Sequence, residues 1–360
     1  MLFRRFLHKW GNTYKMKIFN KRKVILFAGL FVFLLLIAQC TSPTGPISMK
    51  DPLTYNWTID TLKDNYLIHL EKFWANSNND VYAYGLINYD DTKSPIWHYN
   101  GLGWQQAALP VKSDYIASVF GFSFNNVWAI ALSGTDTTIY KSYLLHFDGT
   151  KWQNYSTFNG TLLKCMWGSS PKDVWTGGDT LLLHFNGSNW NQFPFILPSQ
   201  GVSIQTISGS NSKDVYLTGF KPGSPQPFEY LYKYNGSQWS MIDSVYSSAN
   251  TWTFGVHLET IGNEIYSYYP YLYKMGGNET IKINEKLTTS LGGTASDYLF
   301  ASGSYDDGTI NYYNGVVWNE LVIKEGFYRR FDDIWTDGNE MFLVANDGNK
   351  TYLVHGKYVV

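Results

Sequence analysis

The 360-residue chain is 44% apolar and 16% charged, the balance of a folded protein with a sizeable core rather than of a disordered one. Aromatic residues make up 18%, with 14 Trp, 28 Tyr and 22 Phe, which suits pleated, half-buried strands and argues against a helical protein. The net charge of −1 hides an asymmetry: the first 39 residues hold eight Lys or Arg and no acid, so residues 40 onward carry about −9 and lack the basic patch of a nucleic-acid binder.

The chain opens on an export signal, residues 1–39. Lys21-Arg22-Lys23 precedes the fifteen-residue apolar run 24–38, the length of a signal-peptide core and short of the roughly 20 residues of a membrane-spanning helix. Met16 is the more natural start, since a start at Met1 lengthens the basic region unusually. Leu36-Ile37-Ala38-Gln39-Cys40 resembles the lipobox of bacterial lipoproteins, which ends in the cysteine that is acylated; Gln39 stands where that family usually has Gly, Ala or Ser. The resemblance implies a lipid anchor on Cys40 in a bacterial cell envelope, at the outer membrane in a Gram-negative cell. An uncleaved N-terminal anchor leaves the domain on the same side of the membrane. Residues 40–53, small and Pro-containing at first, read as the tether, and 54–360 as one domain. With Cys40 acylated, Cys165 is left alone and no internal disulfide forms; its apolar setting reads as a buried structural thiol.

A two-part repeat fills the rest. An Asn/Asp turn with an aromatic strand comes first, then an aromatic-Asn/Asp-Gly turn with Trp three residues later. The first copy carries Asp80-Val81-Tyr82 and His98-Tyr99-Asn100-Gly101 with Trp104, and the second Asn126-Val127-Trp128 and His146-Phe147-Asp148-Gly149 with Trp152. The third sets the template, with Asp173-Val174-Trp175 and His184-Phe185-Asn186-Gly187 before Trp190. The fourth has Asp214-Val215-Tyr216 and Trp239, and the sixth Tyr298-Leu299-Phe300 and Trp318. The fifth, around Glu264-Ile265-Tyr266, and the seventh, around Glu340-Met341-Phe342 and His355-Gly356, are degraded and lack the closing Trp. Trp104, Trp152, Trp190 and Trp239 lie 48, 38 and 49 residues apart, near the period of about 40 to 50 of four-stranded propeller blades.

Each copy holds alternating strands bounded by tight-turn residues, with no helical period between them. The prediction is therefore an all-β chain: a single β-propeller of seven blades of four antiparallel strands, with six and eight as the alternatives. Tyr55-Asn56-Trp57-Thr58-Ile59-Asp60 reads as a lone outer strand that completes the last blade. The pattern resembles propeller repeats of bacterial exported proteins, loosely related to the kelch, galactose-oxidase-like and WD40-type propellers. That resemblance implies architecture and says little of activity.

Candidate chemistry is weighed against the repeat. His98, His146 and His184 share one repeat position with Lys233 and Tyr312, which favours a structural role over a metal site. A sialidase needs three arginines, and residues 40–360 hold two, Arg329 and Arg330. Cys165 lies in the wrong context for a copper-radical site. Asp90-Asp91, Asp306-Asp307 and Asp332-Asp333 are candidate carboxylate pairs for glycoside hydrolysis or Ca²⁺, all in or beside turns where acids are common. No nucleophile, base and orienting group recur at a recognisable spacing. The expectation is thus a non-catalytic binding or scaffold module for a protein or glycan partner, with no cofactor, no metal and no nucleic acid. A glycan-active enzyme and a sensory subunit of an envelope complex are the rivals. Extra length at 86–96, 131–142 and 220–229 marks the loops expected on the binding face.

Overall fold

The computed structural model describes residues 50–359, apart from 64–66, 88–92, 135–139, 195–200, 224–225, 247–253, 255–256, 277–278, 285–287, 304–306 and the single positions 180, 270, 328 and 349. The signal segment, Gln39 and Cys40 therefore lie outside the described residues, as do Asp90, Asp91 and Asp306.

Local chemistry makes the hairpins. The Asn100 side chain accepts hydrogen bonds from the backbone N–H groups of Leu102 (3.0 Å) and Gly103 (3.3 Å), and Asp148, Asn186, Asn235 and Asn314 do the same in their own turns. Each is followed by a glycine at φ between 87 and 94°, a left-handed conformation that costs other residues energy. The chain reverses there, and the strands on either side pair antiparallel.

Seven four-stranded units result: residues 68–106 (blade I), 115–159 (II), 163–192 (III), 203–246 (IV), 257–284 (V), 290–322 (VI) and 331–358 (VII). A single bridge, Leu86 to Tyr115, joins the sheets of blades I and II. The first strands of successive blades pack side by side and close a ring, blade VII against blade I. Blade VII has only three strands of its own. Its fourth is Tyr55–Lys63, which pairs in unbroken register with Lys350–Tyr358, so the two ends of the domain close the disc in one sheet.

The repeat residues build the frame between strands and between blades. In each blade the second-strand aromatic faces one third-strand residue: Tyr82–His98, Trp128–His146, Trp175–His184, Tyr216–Lys233, Tyr266–Lys274, Phe300–Tyr312 and Phe342–His355. The acid or amide two residues before the aromatic, on the same strand face, holds that third-strand group. Asp80 meets His98 at 2.7 Å, Asn126 meets His146 at 2.9 Å, Asp173 meets His184 at 2.6 Å and Glu340 meets His355 at 2.6 Å. Asp214 pairs with Lys233 at 2.8 Å and Glu264 with Lys274 at 2.9 Å. In blade III the His184 ring then stacks on Trp175 at 4.0 Å, and in blade IV the Lys233 ammonium lies 4.9 Å above Tyr216. Blade VI replaces the whole device with rings, Tyr298, Phe300 and Tyr312.

The closing Trp of each copy reaches the second-strand aromatic of the preceding blade. Trp104 meets Phe342, Trp152 meets Tyr82, Trp190 meets Trp128 and Trp239 meets Trp175, with ring centres 5.5–6.2 Å apart and edge-on geometry. Trp318 shares a core with Tyr266 of blade V. Blade VII, whose own copy lacks a closing Trp, receives Trp57 from the N-terminal strand. Trp57 faces Gly356, the register position at which Trp104 faces Tyr99, and packs into the core that holds Phe300 of blade VI. A Cβ on Gly356 would lie 2.5 Å from the Trp57 ring, which accounts for the glycine in that copy.

Candidate functional site at the channel mouth

Up-and-down strand order gives the disc two unlike rims. Turns between first and second strands, and between third and fourth, lie on one rim. Second-to-third-strand loops and blade-to-blade connections lie on the other. The long segments 86–96, 131–142 and 220–229 all join second to third strands, so the three insertions leave from the same loop rim.

The first strands surround a central cavity of about 840 Å³, lined from six of them and by Thr289 at the start of the seventh. Its walls are layered. In blades I, II, III, IV and VII a β-bulge interrupts the first strand near the loop rim, and the extra residues are Glu71, Ala117, Lys164, Gln205 and Asp332. All five line the cavity. A bulge breaks the alternation that would otherwise commit a side chain to the blade core, and in four of these blades it turns a polar group to the mouth. Tyr115 donates to Glu71 (3.0 Å), Lys164 donates to Ser203 (2.8 Å), and Asp332 takes Arg330 (2.9 Å) and Asn346 (2.8 Å).

The next layer is set by one register position: Lys72, Ser118, Cys165, Thr206, His257, Ser290 and Asp333. Asp333 is buried and accepts from three groups: the Phe73 N–H at 2.8 Å, Ser290 at 3.0 Å and the Lys72 ammonium at 3.4 Å. These donors come from the blades on both sides, so Asp333 clasps the ring where the chain ends meet. Thr206 does the same for blades IV and V by accepting from Leu258 N–H at 3.3 Å. Lys72 also reaches Tyr268 of blade V at 3.3 Å. Burial opposes its charge, but Asp333 and the tyrosine oxygens of Tyr268 and Tyr84 outweigh that, and its proton is held more tightly than in water. Burial lowers His257 to about 3, helped by the Lys72 charge, so this imidazole is neutral.

A third layer holds Trp74, Phe120, Trp167, Ser208, Glu259, Gly292 and Trp335. Rings occupy the contiguous blades VII, I, II and III. Across from them Glu259 stands between the small residues Ser208 and Gly292 and makes no hydrogen bond to the described residues. Its side chain is exposed to the cavity it lines; the surrounding protein, then the Asp333 charge, pushes its carboxyl up to about 7.

The predicted site residues divide accordingly. Trp104, Trp152, Trp190, Trp239, Trp318, Asp80, Asp173 and Asp214 are the frame described above. Cys165 is buried, donates to the Gly177 carbonyl at 3.5 Å, and burial pushes its thiol up to about 12, which makes it an inert structural thiol. Asp332 and Asp333 are neighbours in sequence but serve different ends, the mouth and the clasp. Among the described residues no group of three His, Cys, Asp or Glu converges as a metal site. Lys72, Glu71, Lys164, His257 and Glu259 were not singled out from sequence; aligning the first strands of the copies is the signal that finds them, because each departs from what most blades carry there.

No family model matches the chain, and no curated protein sequence matches it. Solved structures similar to it are propellers. A catalytically inactive virginiamycin B lyase from Staphylococcus aureus with quinupristin matches at TM-score 0.57 and 11% identity, over 85% of this chain and 100% of that one. YCF48 bound to D1 peptide matches at TM-score 0.55 and 11% identity, over 84% and 95%. The Cps50 (Swd1) β-propeller domain of Myceliophteria thermophila matches at 0.57 and 10% identity, over 85% and 100%. At such identities the likeness is one of fold: this chain is a β-propeller of seven four-stranded blades.

Proposed function

We propose that the protein is a non-catalytic binding module of a bacterial cell envelope, tethered through acylated Cys40, that takes a segment of a partner protein at its loop rim. The observation that carries this reading is the set of ionisable groups of both signs, Asp332, Glu71 and Lys164, placed by the bulges of blades VII, I and III at the one mouth from which all three long loops leave. A mouth with mixed charge above a partly aromatic throat suits a peptide bearing both backbone amides and side chains. YCF48, a propeller of similar fold, was solved with a peptide. Asp332 and Asp333 do not make an acid–base pair, since Arg330 and Asn346 hold one and the ring clasp holds the other.

Affinity capture from envelope extracts, run beside a glycan array with turnover assays on any glycan bound, tests this. The expected result is a specific protein recovered by the native chain and lost with Lys164→Gln and Glu71→Gln. Turnover of a glycan that disappears with Asp332→Asn overturns the reading in favour of an enzyme. Equal labelled-palmitate incorporation in the native chain and Cys40→Ala removes the anchor from it.

A further inference from the structure

The turn rim is uneven in a way the repeat does not require. After each Asn/Asp-Gly, blades II, III and IV place Thr150, Ser188 and Ser237, whereas blade I places Leu102 and blade VI places Val316. Leu102 is 94% exposed and Val316 is 80% exposed. Phe124 caps the first-to-second-strand turn of blade II at 63%, where blade III has Pro171-Lys172 and blade IV Ser212-Lys213. Leu53, in the short helix Pro52–Thr54, and Val359, just past the last strand of blade VII, are exposed at the same rim. These residues span the contiguous blades VI, VII, I and II. Exposed apolar residues scattered singly are ordinary; a sector of them on one rim, two at the turn position that holds Thr or Ser in blades II, III and IV, is not.

The chain enters the domain in the middle of this sector. Tyr298 of blade VI donates to the Lys50 carbonyl at 2.7 Å, and Tyr55 donates to the Gly338 carbonyl in the first turn of blade VII at 2.9 Å, which fixes residues 50–55 on the turn rim. Nine residues lie between Cys40 and Lys50, ten residue steps, a reach of at most about 35 Å.

We propose that the turn rim of blades VI, VII, I and II lies against a lipid bilayer, so that the channel mouth and long loops face away from the membrane. The inference rests on the membrane tether proposed above and adds the orientation. A short tether leaving from the centre of an apolar sector keeps that sector beside the headgroups, and Leu, Val and Phe at turn tips enter the interfacial layer without unpairing any strand. The polar turns of blades III–V then mark the edge that lifts towards water.

The test couples the full chain through Cys40 to vesicles of phosphatidylcholine and phosphatidylglycerol containing a maleimide lipid, Cys165 being buried and unreactive. Chemical coupling makes the result independent of whether Cys40 is acylated in cells. A fluorescent residue replaces Leu102, Val316 or, on the loop rim, Lys112, and brominated lipids serve as quencher. Quenching at positions 102 and 316 several-fold above that at 112, reduced by Phe124→Asp with Val317→Asp, is the expected result. Equal quenching at all three positions, none at any, or most at 112 overturns the orientation. Protection of positions 102 and 316 by an envelope protein, with no quenching by lipid, replaces the bilayer with a protein neighbour.

Discussion

The second and third strands of the blades repeat almost to the residue, while the first strands do not. At the second-strand position every blade has a ring, from Tyr82 to Phe342, and six of seven face it with a His or Lys held by the acid or amide two residues before that ring. At the matching first-strand layers the seven residues differ in charge and size: Lys72, Ser118, Cys165, Thr206, His257, Ser290 and Asp333 in one, four rings with Ser208, Glu259 and Gly292 in another. Uniform positions are those whose neighbours are the same in every blade. The axis is shared by all seven, so each residue there is free to differ from its counterparts, and some of these differences, such as Asp333, join neighbouring blades.

Truncation should separate the two regions most sharply. Trp175 is fully buried between blades III and IV, and Trp175→Ala is expected to cost about 3–5 kcal/mol in urea unfolding. Lys164→Gln at the mouth is expected to stay within about 0.5 kcal/mol. Similar losses from both would mean that the mouth is part of the frame.

The closure offers a finer break. Gly356→Ala forces a methyl onto the Trp57 ring and is expected to cost about 1–3 kcal/mol, with most of that cost gone in a Trp57→Ala background. An additive double variant would show that Trp57 does not fill the slot of the missing closing Trp of blade VII.

Two channel neighbours should respond oppositely to pH. His257 is depressed in the fold, so its contribution is present above its unfolded value of about 6.5 and is lost as pH falls towards 3; His146 and His355 act in the same direction. Glu259 is raised, so its contribution is present below about 4.5 and lost as pH rises through about 7. His257→Asn is therefore expected to flatten the fall in Tm between pH 6.5 and 5, and Glu259→Gln to raise Tm more at pH 8 than at pH 5. A Glu259→Gln gain that is larger at pH 5 contradicts the enclosed carboxyl.

The frame was legible in sequence because its chemistry is local. Asn-Gly turns, the Asp-Val-Trp strand and the Trp after the turn lie within a few residues of their partners, and the lone strand at residue 55 signalled a shared last blade. Trp57 was not recognised as the closing Trp of blade VII because its partner, Gly356, is almost 300 residues away. Glu71 and Lys164 were hidden for another reason: a bulge is a feature of hydrogen-bond register, and alternation read along one strand assigns such residues to the wrong face. Asp332 and Asp333 are adjacent in sequence, and the bulge at Asp332, invisible in sequence, turns it to the mouth while Asp333 joins the clasp.

The partner is expected at the mouth. The direct measurement is the affinity of the captured partner for the native chain, for Lys164→Gln with Glu71→Gln, and for a turn-rim variant, Leu102→Asp with Val316→Asp, each checked for unchanged Tm. A loss of tenfold or more at the mouth, with the turn-rim variant binding as the native chain does, is the predicted result; full affinity after the mouth is altered, or loss only at the turn rim, would contradict it.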